Sequence, residues 1–329
     1  MFMLRFDMRV PNKTPTQVAD MYETALEMAR WIDDKAPVVL GTPEHHASED
    51  GYNPTPLILA SAMAAVTKKA KIMAAATLLP LYEPVRLVEE MLVLDHISRG
   101  RVSYVLGIGY RPAEYELFGL DFAQRGKIMD EKLACLRAHL KAASDGTAMP
   151  RVTPAPFSPG GPVVMLGGGS KVAARRAGRN GMGFVAQANE PGLREAYEAA
   201  CNEAGHAPGV CMIPPDGRPN VVFVHPDPEQ AWQEIGSYIL QDAVPYAAWN
   251  REAGMNATSL SHAASIEELK AEKGAYQIVD VAGAVALIKR WGALPMHPLC
   301  GGLPAEIAWT YLRRVIEDVM PAVSAAAER

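Results

Sequence analysis

Two hydrophobic periods alternate along the chain: short apolar runs of strand length, and longer stretches whose apolar positions recur every three to four residues, as on one helix face. Residues 3 to 8 alternate apolar and charged, which predicts a first strand. Thr14-Pro15-Thr16-Gln17 then supplies an N-cap, a proline at the first helical position and a glutamine at the third. Val18, Met21, Tyr22, Ala25, Met28 and Ala29 line one face of the helix it opens. Further strands are predicted at Val38 to Gly41, Lys71 to Leu79, Val102 to Gly107, Val163 to Leu166, Met182 to Ala186, Val221 to His225 and Leu294 to Leu299. Lys71 to Leu79 is apolar on both faces, as a buried parallel strand should be. Helices are predicted between them, one running from about Pro228 to Val244. This alternation, with no hairpin signal, predicts an α/β fold whose parallel sheet closes into a (β/α)8 TIM barrel; an open doubly wound sheet is the second choice. One domain, 1–329, is expected, with insertion loops near 108–122, 144–162 and 246–277, the last a candidate lid.

Composition narrows the partners. Hydrophobic residues make up 49%, charged residues 21%, and the formal net charge is -5, so neither disorder nor a nucleic-acid surface is indicated. A small-molecule partner is expected. Cys135, Cys201, Cys211 and Cys300 have no C-x-x-C spacing, which argues against a structural zinc site and a disulfide scaffold. Arg5, Asp7 and Arg9 interrupt the apolar N-terminus, and no apolar run approaches the ~18 residues of a spanning helix. A cytoplasmic protein without a membrane partner is the expectation.

In a barrel the functional loops follow the C-terminal ends of the strands. Glu44-His45-His46 closes the run from Pro37, placing an acid and two imidazoles where a strand gives way to a polar loop. It reads as the lip of an active site with a proton-handling histidine, as a metal site, or as a solvated loop. Adjacent histidines point in different directions and no H-x-H or H-x-x-x-H spacing is present, so no metal is expected. Gly167-Gly168-Gly169-Ser170 opening a helix is either an anion cradle or a turn that Ser170 caps. Ala74 to Thr77 is small and apolar, suited to a flat ring lying on backbone or simply to core packing. Tyr110 and Arg111 are placed to recognise a phosphate or a substrate oxygen, unless they are only exposed loop residues.

The block from Leu79 to Gly119 carries a more specific pattern: Pro84-Val85-Arg86, Glu89-Glu90, Leu94-Asp95-His96-Ile97-Ser98-Arg99-Gly100-Arg101, Gly107-Ile108-Gly109-Tyr110-Arg111-Pro112-Ala113-Glu114 and Phe118-Gly119. On these residues the chain resembles the bacterial luciferase-like flavin-dependent oxidoreductases, nearly from end to end. The resemblance implies a flavin or deazaflavin at the C-terminal mouth of a barrel. It puts the family's catalytic histidine on His45, beside Glu44, and a non-proline cis peptide supporting the ring at Ala75-Ala76, next to Thr77. Gly168, Gly169 and Ser170 correspond to phosphate-binding residues, and Gly109 and Tyr110 to residues lining the ring and tail. Tyr82, Arg111 and His297 fall on the substrate side. Luciferase itself has a cysteine and an arginine where Gly109 and Tyr110 stand here, so light emission is not implied.

The activity implied is that of a two-component monooxygenase, with reduced FMN from a separate reductase, molecular oxygen and a small organic substrate. A deazaflavin-dependent dehydrogenase or reductase is the alternative on the same fold, and a non-catalytic flavin-binding protein the alternative of another class. A homodimer is expected from the resemblance alone.

Overall fold

The structure, a computed structural model, describes residues 1–147, 152–252, 254, 257 and 260–327. It divides into two compact units, the first of residues 1–41, 49–52 and 215–329, the second of residues 42–48 and 53–214. The chain begins in the first unit with strand β1 (Phe2–Arg5), helix α1 (Pro15–Ile32) and strand β2 (Val38–Thr42). Thr14 caps α1 as expected: its hydroxyl accepts from the Gln17 N–H while the Gln17 side chain accepts from the Thr14 N–H. The second unit runs α2 (Pro56–Val66), β3 (Lys71–Leu78), α3 (Pro84–Ser98), β4 (Val102–Gly107), α4 (Pro112–Leu117) and α5 (Arg125–Asp145). It continues through β5 (Val163–Gly168), α6 (Lys171–Arg179), β6 (Gly183–Ala186), α7 (Leu193–Glu203) and β7 (Cys211–Met212). The chain then returns to the first unit with β8 (Val221–Val224), α8 (Pro228–Glu252), α9 (Ile266–Glu272) and β9 (Tyr276–Val279). It ends with α10 (Val281–Trp291), β10 (Leu294–Met296), α11 (Ala305–Arg314) and α12 (Met320–Ala327).

The strand pairings within each unit are parallel. In the first unit β1 lies between β10 and β2, with Phe2 opposite both Leu294 and Val38, and β8 pairs with β9. In the second unit β3, β4, β5, β6 and β7 neighbour one another in chain order. Neighbouring parallel strands need a crossover, and a helix follows β3, β4, β5 and β6 to supply it. Tyr104, Val105 and Leu106 of β4 are buried, as a strand covered on both sides requires.

All eight expected strands are present, and β7 and β9 are additions. The helix expected to stop near Val244 instead runs through Pro245 to Glu252. Pro245 has no N–H to offer the Gln241 carbonyl, yet the helix carries on, with Ala243, Ala247 and Asn250 buried on its inner side. The expected loop 108–122 contains α4, and the expected lid 246–277 contains the end of α8, all of α9 and the start of β9. Residues 253, 255, 256, 258 and 259 of that lid, and 148–151 of the proline-rich segment, lie outside the described residues.

The most specific part of the sequence pattern serves architecture. Arg101 donates to Ser98 O, to Thr67 Oγ1 and O, and to the carbonyls of Ala64 and Ala70, all between 2.7 and 3.0 Å. It thereby satisfies carbonyls that α2 leaves unpaired at its C-terminal end. Arg99 and Gly100 both take left-handed conformations to end α3, and a Cβ on Gly100 would stand 2.7 Å from Ser158 Oγ. That serine is held by Asp95, whose carboxylate accepts from its hydroxyl and its N–H, each at 2.7 Å. Among the described residues no helix is long and apolar enough to cross a membrane.

Candidate active site

Where β2 ends, the chain enters the second unit and Glu44, His45 and His46 diverge. Glu44 is buried, and its carboxylate accepts from His46 Nε2 at 2.7 Å, the Leu78 N–H at 3.0 Å and the Tyr82 hydroxyl at 3.1 Å. Burial pushes the Glu44 carboxyl above its ordinary range, and the bonds from His46, Leu78 and Tyr82 hold that rise back. Glu44 therefore ties its own loop, through His46, to Leu78 at the end of β3 and to Tyr82.

His45 meets a different acid. Its Nδ1 lies 2.8 Å from Glu114 Oε1, and its Nε2 lies 3.2 Å from the Tyr110 hydroxyl, the two rings meeting edge to face. Glu114 is fully buried in the first turn of α4, and the same oxygen accepts from the His46 N–H at 3.0 Å and lies 3.4 Å from Arg111 Nη1. Arg111 donates to His46 O at 2.5 Å and to Ala47 O at 3.3 Å, around a residue held at φ 49°. A non-glycine residue in that region is disfavoured, and Arg111 binds the two carbonyls flanking the bend. Thus the segment from Gly107 to Glu114 clamps the segment from Glu44 to Ala47. Glu114 is a residue the sequence names only inside a family pattern. The usable signal is a proline-started helix turn with an acid at its third position, but its partner lies 69 residues away.

The ends of three neighbouring strands carry almost no side chains. β3 ends through half-buried Ala75 and Ala76, which are joined by a cis peptide, then Thr77; β4 ends in Gly107, followed by Gly109; β5 ends in Gly167 and Gly168. Ala76 and Gly107 match in size because they face each other: a Cβ on Gly107 would lie 2.9 Å from that of Ala76. Gly109 sits at φ 76°, where glycine is the least strained residue. Beyond β5, exposed Ser170 caps α6 by accepting from the Ala173 N–H at 3.3 Å, and the other N–H groups of that first turn have no acceptor within the helix. Thr42 Oγ1, Thr77 Oγ1 and Glu114 Oε2 are buried oxygens with no hydrogen-bond partner in the protein. A methyl-and-glycine floor, leading to a helix N-terminus and bordered by unsatisfied oxygens, fits a flat ring carrying an anionic tail.

Of the residues singled out in the sequence, Glu44, His45, Ala75, Ala76, Thr77, Tyr82, Gly109, Tyr110, Arg111, Gly168, Gly169 and Ser170 all belong to the second unit. His297 belongs to the first. It follows β10, and its Nε2 is 3.0 Å from Asp7 Oδ1 and its Nδ1 3.0 Å from Arg5 Nη2. Asp242 on α8 accepts from Arg5 at 2.8 Å, Arg9 at 2.8 Å and Tyr276 at 2.7 Å. Among the described residues Asp242, His297 and Cys300 are the one group close enough to share a metal ion, and Arg5 Nη2 already brings a cation to two of them. Burial pushes the Cys300 thiol well up, away from the thiolate a metal would need.

The family model for luciferase-like monooxygenases matches residues 3–288. Among curated proteins, the chain is 25% identical over 198 residues to the alkanal monooxygenase beta chain of Vibrio harveyi, covering 57% of this chain and 60% of that one. It spans 28% to 54% of the length of other curated relatives that it matches. Among solved structures, a monooxygenase from Streptomyces bottropensis is 20% identical with a TM-score of 0.72, over 98% of this chain and 99% of that one. The oxygenating constituent of 3,6-diketocamphane monooxygenase from Pseudomonas putida, solved with FMN, is 19% identical with a TM-score of 0.70, over 97% and 98%. Structures of the same fold also include F420-dependent enzymes. The fold is thus the luciferase-like (β/α) barrel class, and the chain belongs to the luciferase-like monooxygenase family of flavin-dependent oxidoreductases.

Proposed function

We propose that the protein is a monooxygenase that uses reduced FMN, delivered by a separate flavin reductase, and molecular oxygen to oxidise a small organic substrate. The observation that carries this reading is the His45–Tyr110 pair, held by a buried carboxylate in the same unit as the side-chain-poor strand ends. Ala75, Ala76 and Thr77, with Gly109 and Tyr110, would hold the ring. Gly168, Gly169, Ser170 and the first-turn amides of α6 would hold the phosphate, where the helix dipole favours an anion. When bound, the reduced flavin supplies the electrons that activate oxygen. The chain's own part is to exclude water and to exchange a proton at His45, work suited to an imidazole near neutral pH. Glu44 keeps the loop in place, and Tyr82 and Arg111 shape the substrate side through their bonds to that loop.

A deazaflavin-dependent dehydrogenase or reductase is the second reading. What supports it is that F420-dependent enzymes share the fold, and a floor of methyls and glycines accepts either ring. A flavin-binding protein without turnover is disfavoured by the His45–Tyr110 pair, which binding alone does not require. We further propose a homodimer seated on α2 and α3. There Ile58 and Val93 are exposed beside a cavity of about 510 Å3, whose rim carries Glu83, Arg86, Glu89 and Glu90, a mixed-charge set that a two-fold axis can pair with itself.

One preparation tests these readings. The protein is titrated anaerobically with reduced FMN and, separately, with a reduced deazaflavin coenzyme, its absorbance is followed before and after oxygen, and its mass is measured by light scattering. Saturable binding of FMN with an oxygen-dependent spectral change, on a particle of twice the chain mass, is the expected result. Binding of the deazaflavin alone would sink the FMN reading, and a monomer would sink the dimer.

A further inference from the structure

The loop after β2 holds two histidines, and the second unit gives each its own acid, crossed relative to their order in the chain. His46 pairs with Glu44, two residues before it, while His45 reaches Glu114 on another segment. We propose that Glu114 is the positioning residue of the site: it fixes the His45 ring with the proton on Nδ1, so that Nε2, beside Tyr110, is the nitrogen that takes and returns a proton.

The tautomer follows from the company Glu114 Oε1 keeps. The His46 N–H and the Arg111 guanidinium can only donate, and both face this oxygen. An oxygen that accepts from those neighbours also accepts from the ring, so His45 Nδ1 carries hydrogen and the lone pair lies on Nε2. Reversing the ring would bring carbon atoms against Glu114 and Tyr110 and lose both contacts, so the bonding pattern selects the orientation. Because one oxygen binds the ring and the next residue's backbone together, the imidazole is aimed relative to its own loop. When Nε2 accepts a proton the ring becomes an imidazolium with both nitrogens donating, and Glu114 stays ionised as its counter-charge. Nε2 then donates to the Tyr110 hydroxyl, whose own hydrogen turns away, and returning the proton reverses both changes. Titratable groups that face the pair include Tyr110 at Nε2 and Arg111 at the carboxylate; on the loop itself Glu44 and His46 are engaged with each other.

Positioning of His45 rests on the proposed function only for its consequence, since the tautomer is a property of the protein without cofactor. Full-length protein is labelled with 15N-histidine, and the His45 ring signals are assigned by their loss in His45→Gln. Wild-type protein is expected to show hydrogen on Nδ1 and a lone pair on Nε2. Glu114→Gln retains an acceptor but removes the charge, so reduced-FMN affinity should stay within about threefold, the His45 titration should move to lower pH, and turnover should fall by about 10²-fold or more. Glu114→Asp should recover part of both losses, whereas Glu114→Ala should leave a mixture of tautomers. Hydrogen on Nε2 in the wild type, or an unchanged His45 titration in Glu114→Gln, would overturn the proposal. Should Glu114→Ala fail to fold, the wild-type tautomer and the Gln variant still decide. The expected tautomer in a protein that binds neither reduced cofactor would instead count against the functional reading and leave the positioning role standing.

Discussion

Each unit contains a buried polar centre, and the two are built on opposite principles. In the first unit opposite charges pair in a buried knot, although Arg5 Nε, Asp7 Oδ2, Arg9 Nη2 and His297 Nε2 have no hydrogen-bond partner among the described residues. Arg9 is almost wholly buried yet bonds Asp50 at 2.6 Å and Asp242 at 2.8 Å, with its guanidinium 5.3 to 5.7 Å from the ring centres of Tyr52, Tyr246 and Trp249. Arg5 and Tyr276 close on the same Asp242, and the hydroxyls of Tyr52 and Tyr246 share a short hydrogen bond. The knot draws together chain segments around residues 5–9, 50, 242, 276 and 297. In the second unit a single acid–imidazole–phenol line ends beside strand ends stripped of side chains. Charges that satisfy one another hold a fold but have little left to offer a substrate. His45, whose outer nitrogen meets the Tyr110 hydroxyl, is in contrast the group proposed to accept and release a proton.

If that contrast is right, substitutions in the two centres should fail in different ways. The largest effect belongs to His45→Ala: turnover should drop by roughly 10³-fold, while urea unfolding changes by only about 1 kcal/mol and reduced-FMN affinity stays within a few fold. Unchanged turnover would remove His45 from the mechanism. Asp242→Ala should do the reverse, costing about 3 kcal/mol because it removes the buried carboxylate that Arg5 and Arg9 share, leaving Arg9 with Asp50 and Arg5 with the more distant Asp7. Normal urea stability in that variant would show that the knot is not structural.

The smallest effect is one of pH. Burial works to raise the Asp7 carboxyl, but His297, then Arg5 and Arg9, hold it well below the ordinary carboxylate range. A depressed carboxyl contributes stability that is present above its unfolded value, about 4, and is lost as pH falls toward the folded one. The penalty of Asp7→Asn should therefore be greater at pH 7 than near pH 3, by on the order of 1 kcal/mol, in paired urea melts. An equal penalty at both would mean that Asp7 contributes no charge to the knot.

Much of this was legible in the sequence, and what escaped did so for identifiable reasons. Strands with long apolar runs, such as β3 and β4, announce themselves, whereas β7 has two residues, too few for a period to be read, and β9 begins inside the expected lid 246–277. The helix continues past the expected end near Val244 because Ala243, Ala247 and Asn250 are buried, which local sequence does not announce. Alternation over residues 3 to 8 predicts the first strand, but period alone does not say whether its charged positions are wet, and here Asp7 is buried and Arg5 half-buried. Of the site, the loop 44–46 and the small residues at strand ends were readable as types. The pairing of Glu114 with His45 was not, since neither residue's neighbours in sequence encode it.

Arg101 shows what family membership does and does not measure. It and its neighbours form the most distinctive stretch of the chain, yet its bonds to Ser98, Thr67, Ala64 and Ala70 fasten the α2–β3 connection and its own turn. A descendant that lost His45 but kept Arg101 would fold the same way and still be recognised as kin. Ancestry is recorded in the fastenings of this protein, whereas the activity proposed for it turns on the histidine.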